Sequence, residues 1–115
     1  MKVIIAGSRS IDDPGLVAAA VEASGFTITE VVSGAAKGVD TFGEEWAAVR
    51  GVPVKRFPAD WKRYGRRAGP VRNREMAEYA DALVALPKGE SRGTRNMIDE
   101  ARKRGLQVFV YEIDG

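Results

Sequence analysis

The chain has 115 residues, 44% of them hydrophobic, with 18 basic and 16 acidic side chains and a formal charge of +2. That length suits one domain, expected to run over residues 1–115, with a core of useful size. Cysteine and histidine are both absent, which excludes disulfides, thiolate chemistry, Ser-His-Asp triads and the commonest zinc sites. Any catalysis must rest on carboxylates, hydroxyls, Tyr, Lys, Arg or a bound ion. No apolar run reaches 18 residues, and Met1-Lys2 leads straight into an apolar segment. We therefore expect a soluble, cytoplasmic protein with no signal peptide and no membrane partner.

Val3-Ile4-Ile5-Ala6 is a continuous apolar run, the pattern of a strand covered on both faces. Gly7-Ser8-Arg9 ends it, and Asp12, Asp13 and Pro14 open a helix that Gly25 stops. Leu16, Ala20 and Val21, with Val17, form its buried stripe. Val31-Val32, preceded by Thr29-Glu30, is a second strand. Ser33-Gly34-Ala35-Ala36-Lys37-Gly38 turns into a helix whose Val39, Phe42, Trp46 and Val49 form a core-facing stripe. Gly51 and Pro53 end that helix, and Val52 to Phe57 supplies strand three. Asp60 to Gly69 reads as irregular. Pro70 begins a helix running to about Ala80, Ala82 to Leu86 is strand four, Gly93 or Thr94 to Arg104 the last helix, and Gln107 to Tyr111 strand five.

Strands alternating with helices predict an α/β fold: a Rossmann-like three-layer domain with a mostly parallel five-stranded sheet and helices on both faces. Such sheets bind ligands at the carboxyl ends of the strands, near the reversal of strand order. Three glycine-containing loops lie at such ends: Gly7-Ser8-Arg9, Ser33 to Gly38, and Gly89 to Thr94. Strand, glycine loop and helix aim free N–H groups and a helix dipole at an anion, so the three loops are expected to line one nucleotide-type site. The competing reading is that the glycines serve only tight turns and caps.

Within these loops Arg9 is either a bidentate phosphate or carboxylate contact or an ordinary surface arginine. Gly34, Ala35 and Gly38 leave room beside Lys37. Asp40 either meets a ribose hydroxyl or is a favourable acid in the first helical turn. Ser91, Arg92 and Thr94 are donors between Gly89 and Gly93, and Thr94 is alternatively a helix cap. Arg72 and Asn73 begin the helix before strand four and reach the same cleft. From Lys55 to Arg74 eight basic residues face one acid, Asp60, so this segment carries +7 and the rest of the chain −5. Such a segment suits an anionic partner or is a solvated face. Trp61 and Tyr64 within it either stack on a base or pin the loop to the core.

These motifs carry a resemblance. Ser33-Gly34-Ala35-Ala36-Lys37-Gly38-Val39-Asp40, ending in Glu45-Trp46-Ala47, looks like the Ser-Gly-x-Ala-x-Gly-x-Asp segment of the DNA-processing protein A family. Arg72-Asn73-Arg74-Glu75-Met76, with Ala80-Asp81-Ala82 and Leu86-Pro87, resembles a block of the "lonely guy" phosphoribohydrolases. Both belong to the SLOG superfamily of Rossmann-like nucleotide binders. The best match is its bacterial and phage YspA/YpsA-related branch, whose pattern is present at Ala6, Ser33, Phe57, Gly69 and Gly93.

The resemblance implies a binding or sensing module for a nucleotide or nucleotide-derived ligand, such as a nucleoside phosphate, nucleotide sugar or ADP-ribose-like molecule. No metal or further cofactor is expected. It implies phosphoribohydrolase activity less well. Arg72 matches that family's catalytic arginine, but Asn96 and Met97 stand where its glutamate belongs, and an oxocarbenium-like transition state needs a placed carboxylate. Glu90, with Arg72, is the candidate catalytic pair; Asp99 and Glu44 are the other acids that could substitute. A third reading is single-stranded nucleic-acid binding through Lys55–Arg74. Dimers are common in the superfamily, which allows a homodimer.

Overall fold

The structure, a computed structural model, describes residues 1–114; Gly115, the last residue of the expected domain, lies outside them. The elements run β1 (Lys2–Gly7), α1 (Pro14–Ser24), β2 (Glu30–Ser33), α2 (Val39–Arg50), β3 (Val54–Arg56), α3 (Trp61–Tyr64), a 3₁₀ turn (Gly65–Arg67), α4 (Ala68–Tyr79), β4 (Ala82–Leu86), α5 (Arg92–Lys103) and β5 (Gln107–Val110). The five strands form one all-parallel sheet in the order β3-β2-β1-β4-β5. The fold is Rossmann-like α/β, as the alternation of elements predicts.

The period-2 geometry of a strand divides the apolar runs between two cores. Val3 and Ile5 of β1, with Ala82, Val84 and Leu86 of β4, pack with Val17, Ala20 and Val21 of α1 and Val39 and Ala47 of α2. Ile4 and Ala6, with Leu83 and Ala85, pack with Met76 and Ala77 of α4 and Met97, Ile98 and Ala101 of α5. The two helix pairs therefore cover opposite faces. Both faces being dry explains why β1 and β4 are apolar at almost every position.

Strand order reverses between β1 and β4. Chain progress runs outward from β1 through β2 to β3, then crosses back to β4 on the other side. The two central strands are paired from Val3↔Ala82 to Gly7↔Leu86, so the loops after Gly7 and Leu86 diverge from one point. A crevice at that point is a consequence of topology.

Several boundaries differ from expectation. Val49 is 83% exposed; Ala47, not Val49, continues the buried stripe of α2. The contact ridge follows Val39, Gly43 and Ala47 at i, i+4 spacing because Gly43 lies against Ile5. Val49 is about 120° round the helix from Gly43 at about 100° per residue. In α1 Val17 is fully buried while Leu16 is only half-buried. Strand three is shorter than Val52–Phe57, and α4 starts at Ala68, two residues before Pro70.

The segment Asp60–Gly69 is helical rather than irregular. The Asp60 carboxylate accepts from the Arg63 N–H at 3.1 Å, and Gly65 closes the turn at φ 55° with its N–H on the Trp61 carbonyl. The turn is held by its caps and not by an apolar face, so hydrophobic periodicity carries no sign of it.

The reassigned face of α2 separates two substitutions. Val49→Gln should change the unfolding free energy by less than about 0.5 kcal/mol. Ala47→Gln, which forces a larger polar group into a fully buried site, should cost about 2 kcal/mol or more. Urea denaturation of both variants distinguishes them.

Candidate functional site

The crevice at the strand reversal is a cleft of about 670 Å³, within the roughly 300–1,000 Å³ of small-molecule sites. The β1–α1 loop contributes Gly7, Ser8 and Arg9; the β2–α2 connection contributes Ala36 and Asp40. Trp61, Arg66, Gly69, Pro70, Arg72 and Asn73 come from α3 to α4, and Ser91, Arg92, Gly93, Thr94 and Asn96 from the start of α5. Ala6, Met76 and Met97 form an apolar floor. A smaller cavity of about 150 Å³ adjoins it, lined by Gly34, Ala35, Pro58 and Ala59 and sharing Arg9, Ala36, Trp61 and Arg72 with the cleft.

Arg72 is the half-buried bridge between these surfaces. Its Nη1 donates to the Gly34 carbonyl and, at 3.5 Å, to the Phe57 carbonyl; Nε donates to Asn73 Oδ1 at 3.0 Å. Among the described residues no acceptor meets its Nη2. Burial lowers the pKa of this guanidinium, the nearby Asp40 carboxylate works in the opposite direction, and Arg9 adds to the lowering. It remains a cation at neutral pH. Asn73 is 5% exposed and fully used: its amide donates to the Gly93 carbonyl (3.2 Å) and to Asn96 Oδ1 (2.9 Å). It ties α4 to the first turn of α5.

Asp40 is the one acid lining the cleft and is 6% exposed. Oδ2 accepts from the Ala36 N–H at 3.2 Å. Among the described residues Oδ1 has no hydrogen-bond partner, and it is not sealed away, because no buried side-chain oxygen lacks a partner. The atom keeps some solvent contact in a residue that lines the cleft. Desolvation raises the Asp40 pKa; the Ala36 hydrogen bond lowers it, as do the charges of Arg72 and Arg9, while Glu44 raises it. Asp40 is thus more than a first-turn acid exposed to water.

At α5, Ser91 adopts a left-handed conformation (φ 42°) and provides no side-chain cap. Thr94 is not the cap either; it lies inside the first turn, where its hydroxyl accepts from Ser91 at 2.8 Å. The first helical hydrogen bond joins the Arg95 N–H to the Ser91 carbonyl, and among the described residues nothing accepts from the N–H groups of Arg92, Gly93 and Thr94. These are the free donors and positive dipole end of a 12-residue helix, beside the cleft. Ala35 at φ 61° is the second non-glycine left-handed residue, and it lines the smaller cavity. Strain of this kind, about 1–3 kcal/mol each, concentrates at ligand sites.

The glycines divide by cause. A Cβ on Gly7 would lie 2.6 Å from the Leu86 carbonyl oxygen, and one on Gly34 would lie 2.6 Å from Arg72 Nη1 and 2.8 Å from Asp40 Oδ2. Gly38 has φ +75° and presses on the Ser8 carbonyl oxygen and the Arg9 backbone. Internal packing accounts for all three. Gly93 has neither a positive φ nor any atom within 4 Å of its Cβ position, so its missing side chain only enlarges the cleft.

Other candidates lie elsewhere. Ser33 is buried, donating to Glu44 at 2.6 Å and accepting from the Ala35 N–H. Lys37, Gly89 and Glu90 are exposed and line neither cavity. Arg95 holds the carbonyls of Gly89 and Glu90 and pairs with Glu112. Glu44 is engaged by Ser33 and Arg56, and Asp99 is exposed. Among the described residues no group of three or more acids gathers as a metal site. The sequence reading did not include Arg66, Pro70, Asn96 or Met97 in the site; Arg66 lies in the basic segment, which was its available signal. Trp61, expected to pin the loop to the core somewhat more than to stack on a base, is 54% exposed at the junction of the two cavities.

Two consequences are measurable. Gly7→Ala should destabilise the ligand-free protein by about 1–3 kcal/mol, while Gly93→Ala should leave stability unchanged or raise it by up to about 1 kcal/mol; chemical denaturation compares them. A raised Asp40 pKa means the folded state holds its proton more tightly than the unfolded chain. Stability then falls as pH rises from the unfolded carboxylate range through the raised value. Asp40→Asn should flatten that fall and give a higher Tm at neutral pH, read from melting curves across acidic to neutral pH.

Comparison with known proteins agrees with this architecture. A profile of the YspA, cpYpsA-related SLOG family matches residues 1–64, which include the first two loops and Trp61. The Gene 61 protein of Mycobacterium phage D29 is 39% identical over 87 residues, 70% of each chain. Among solved structures, DNA processing protein A (DprA) from Streptococcus pneumoniae matches with a TM-score of 0.73 and 22% identity over 95% of this chain. This chain spans about half of that one, 49%, and the likeness is one of fold. With more than half its length matched by the family profile and a related phage protein at this identity, the chain belongs to the YspA, cpYpsA-related SLOG family.

Proposed function

We propose that the cleft binds a nucleotide or nucleotide-derived ligand, and that the protein acts as a binding or sensing module. One observation carries this reading: among the described residues, free N–H groups of α5 and unpaired guanidinium groups share a cleft with the unpaired Oδ1 of the largely buried Asp40 and an exposed Trp61. Helix N-terminus and arginine suit phosphate. Asp40 Oδ1 suits a ribose hydroxyl, and the indole suits a base. Arg72 supports the site from below, with Nη2 left to reach a ligand.

The hydrolytic alternative places its carboxylate chemistry on Asp40, since Glu90, Glu44 and Asp99 line neither cavity. The nucleic-acid alternative draws on Lys62, Arg63 and Arg67, which are exposed outside the cleft.

A thermal-shift screen of nucleoside mono-, di- and triphosphates and NAD derivatives tests the proposal. At least one should raise Tm by several degrees, and Gly93→Ala should abolish that rise while folding normally. No shift with any of them counts against the reading. Release of free base from nucleoside monophosphates would instead support hydrolysis, and steeply salt-dependent oligonucleotide binding would support the nucleic-acid reading.

A further inference from the structure

Charge in the cleft is unevenly balanced. Four guanidinium groups, Arg9, Arg66, Arg72 and Arg92, face a single carboxylate, Asp40. Among the described residues Arg9, Arg66 and Arg92 make no ion pair and no side-chain hydrogen bond. Arg9, Arg66 and Arg92 are exposed and solvated, but like charges gathered around a concave site repel one another and favour an anion there.

The arginines also fall into two groups. Arg66 and Arg92 line only the large cleft, and Arg92 opens α5 with the free N–H groups. Arg9 and Arg72 line both the cleft and the smaller cavity, beside the strained Ala35. Asp40 lines the cleft and not the smaller cavity, and its carboxylate feels the charges of both Arg72 and Arg9. One terminal phosphate at α5 leaves the Arg9–Arg72 pair in excess over Asp40.

We infer that the ligand carries two anionic groups: a phosphate held by Arg92, Arg66 and the α5 N-terminus, and a second anion held by Arg9 and Arg72 Nη2. This deepens the nucleotide reading and rests on it. Neutral groups that could read a base edge are few. The Asn73 amide is fully used, and Ser8 and Ser91 bond to Ser10 and Thr94, which leaves the Asn96 amide nitrogen as the main neutral side-chain donor lining the cleft. Discrimination at this site is therefore by number of anionic groups before identity of base.

Isothermal titration with three probes of one base tests this: adenosine 5′-monophosphate, adenosine 5′-diphosphate and adenosine 3′,5′-bisphosphate. At least one two-anion probe should bind about tenfold or more tightly than the monophosphate, which is about 1.4 kcal/mol. Arg9→Gln should erase that gain, costing the two-anion probes about tenfold more affinity than the monophosphate; Arg92→Gln should weaken all three. The corresponding guanosine compounds should follow within a few-fold. Equal affinity for one and two anionic groups, or equal losses for all probes in Arg9→Gln, overturns the two-anion inference while leaving nucleotide binding intact. Absence of binding by every probe overturns both.

Discussion

The guanidinium of Arg72 on the Gly34 carbonyl is the contact around which the site is assembled. α4, which carries Arg72, packs on one face of the sheet, whereas the β2–α2 connection leads into a helix on the other. The two faces meet around the carboxyl ends of the strands, and Arg72 crosses there. A long cation with five donors in a rigid fork can satisfy backbone carbonyls on one side and keep a nitrogen for the cleft on the other. The contact also requires a residue without a side chain at position 34, because a Cβ would occupy the space of the guanidinium.

Asn73 extends the assembly. Adjacent on the helix, it accepts from Arg72 and donates to Gly93 and Asn96, so α4 positions both the second loop and the first turn of α5. The cleft is thereby built from helices and loops joined by part-buried polar bonds. The unpaired groups stand on this frame: Asp40 Oδ1, the α5 N–H groups, and the arginines around the rim. Stability and readiness to bind are assigned to different atoms of the same few residues.

The same division alters how the glycine motifs are understood. Gly7, Gly34 and Gly38 belong to close contacts between chain segments and would be needed with no ligand at all. Gly93, open on its Cβ side and lining the cleft, is instead accounted for by room there. Glycine-rich loops at strand ends thus combine two demands, and in this chain packing accounts for most of them.

The apolar runs of β1 and β4, the Asp13 and Gly25 caps of α1, and the alternation of strand with helix were legible from residues alone, because each rests on local periodicity or local backbone conformation. The motifs also placed Gly7–Arg9, Asp40 and Ser91–Thr94 at the ends of their elements, whereas Arg72 and Asn73, expected to begin their helix, lie in the middle of α4 because it starts at Ala68. The turn at Trp61–Tyr64 is local as well, resting on the Asp60 cap, but it carries no hydrophobic period by which to read it. Two matters were settled by tertiary structure. The face of α2 depended on Gly43 meeting Ile5, a contact between distant residues that makes Val49 a surface residue. Membership of the cleft depended on strand order, since only the reversal between β1 and β4 brings Arg9, Arg72 and Arg92 together and leaves Lys37, Gly89 and Glu90 outside. Sequence determines which residues can meet an anion; the packing of helices on both faces of the sheet determines which of them share one space.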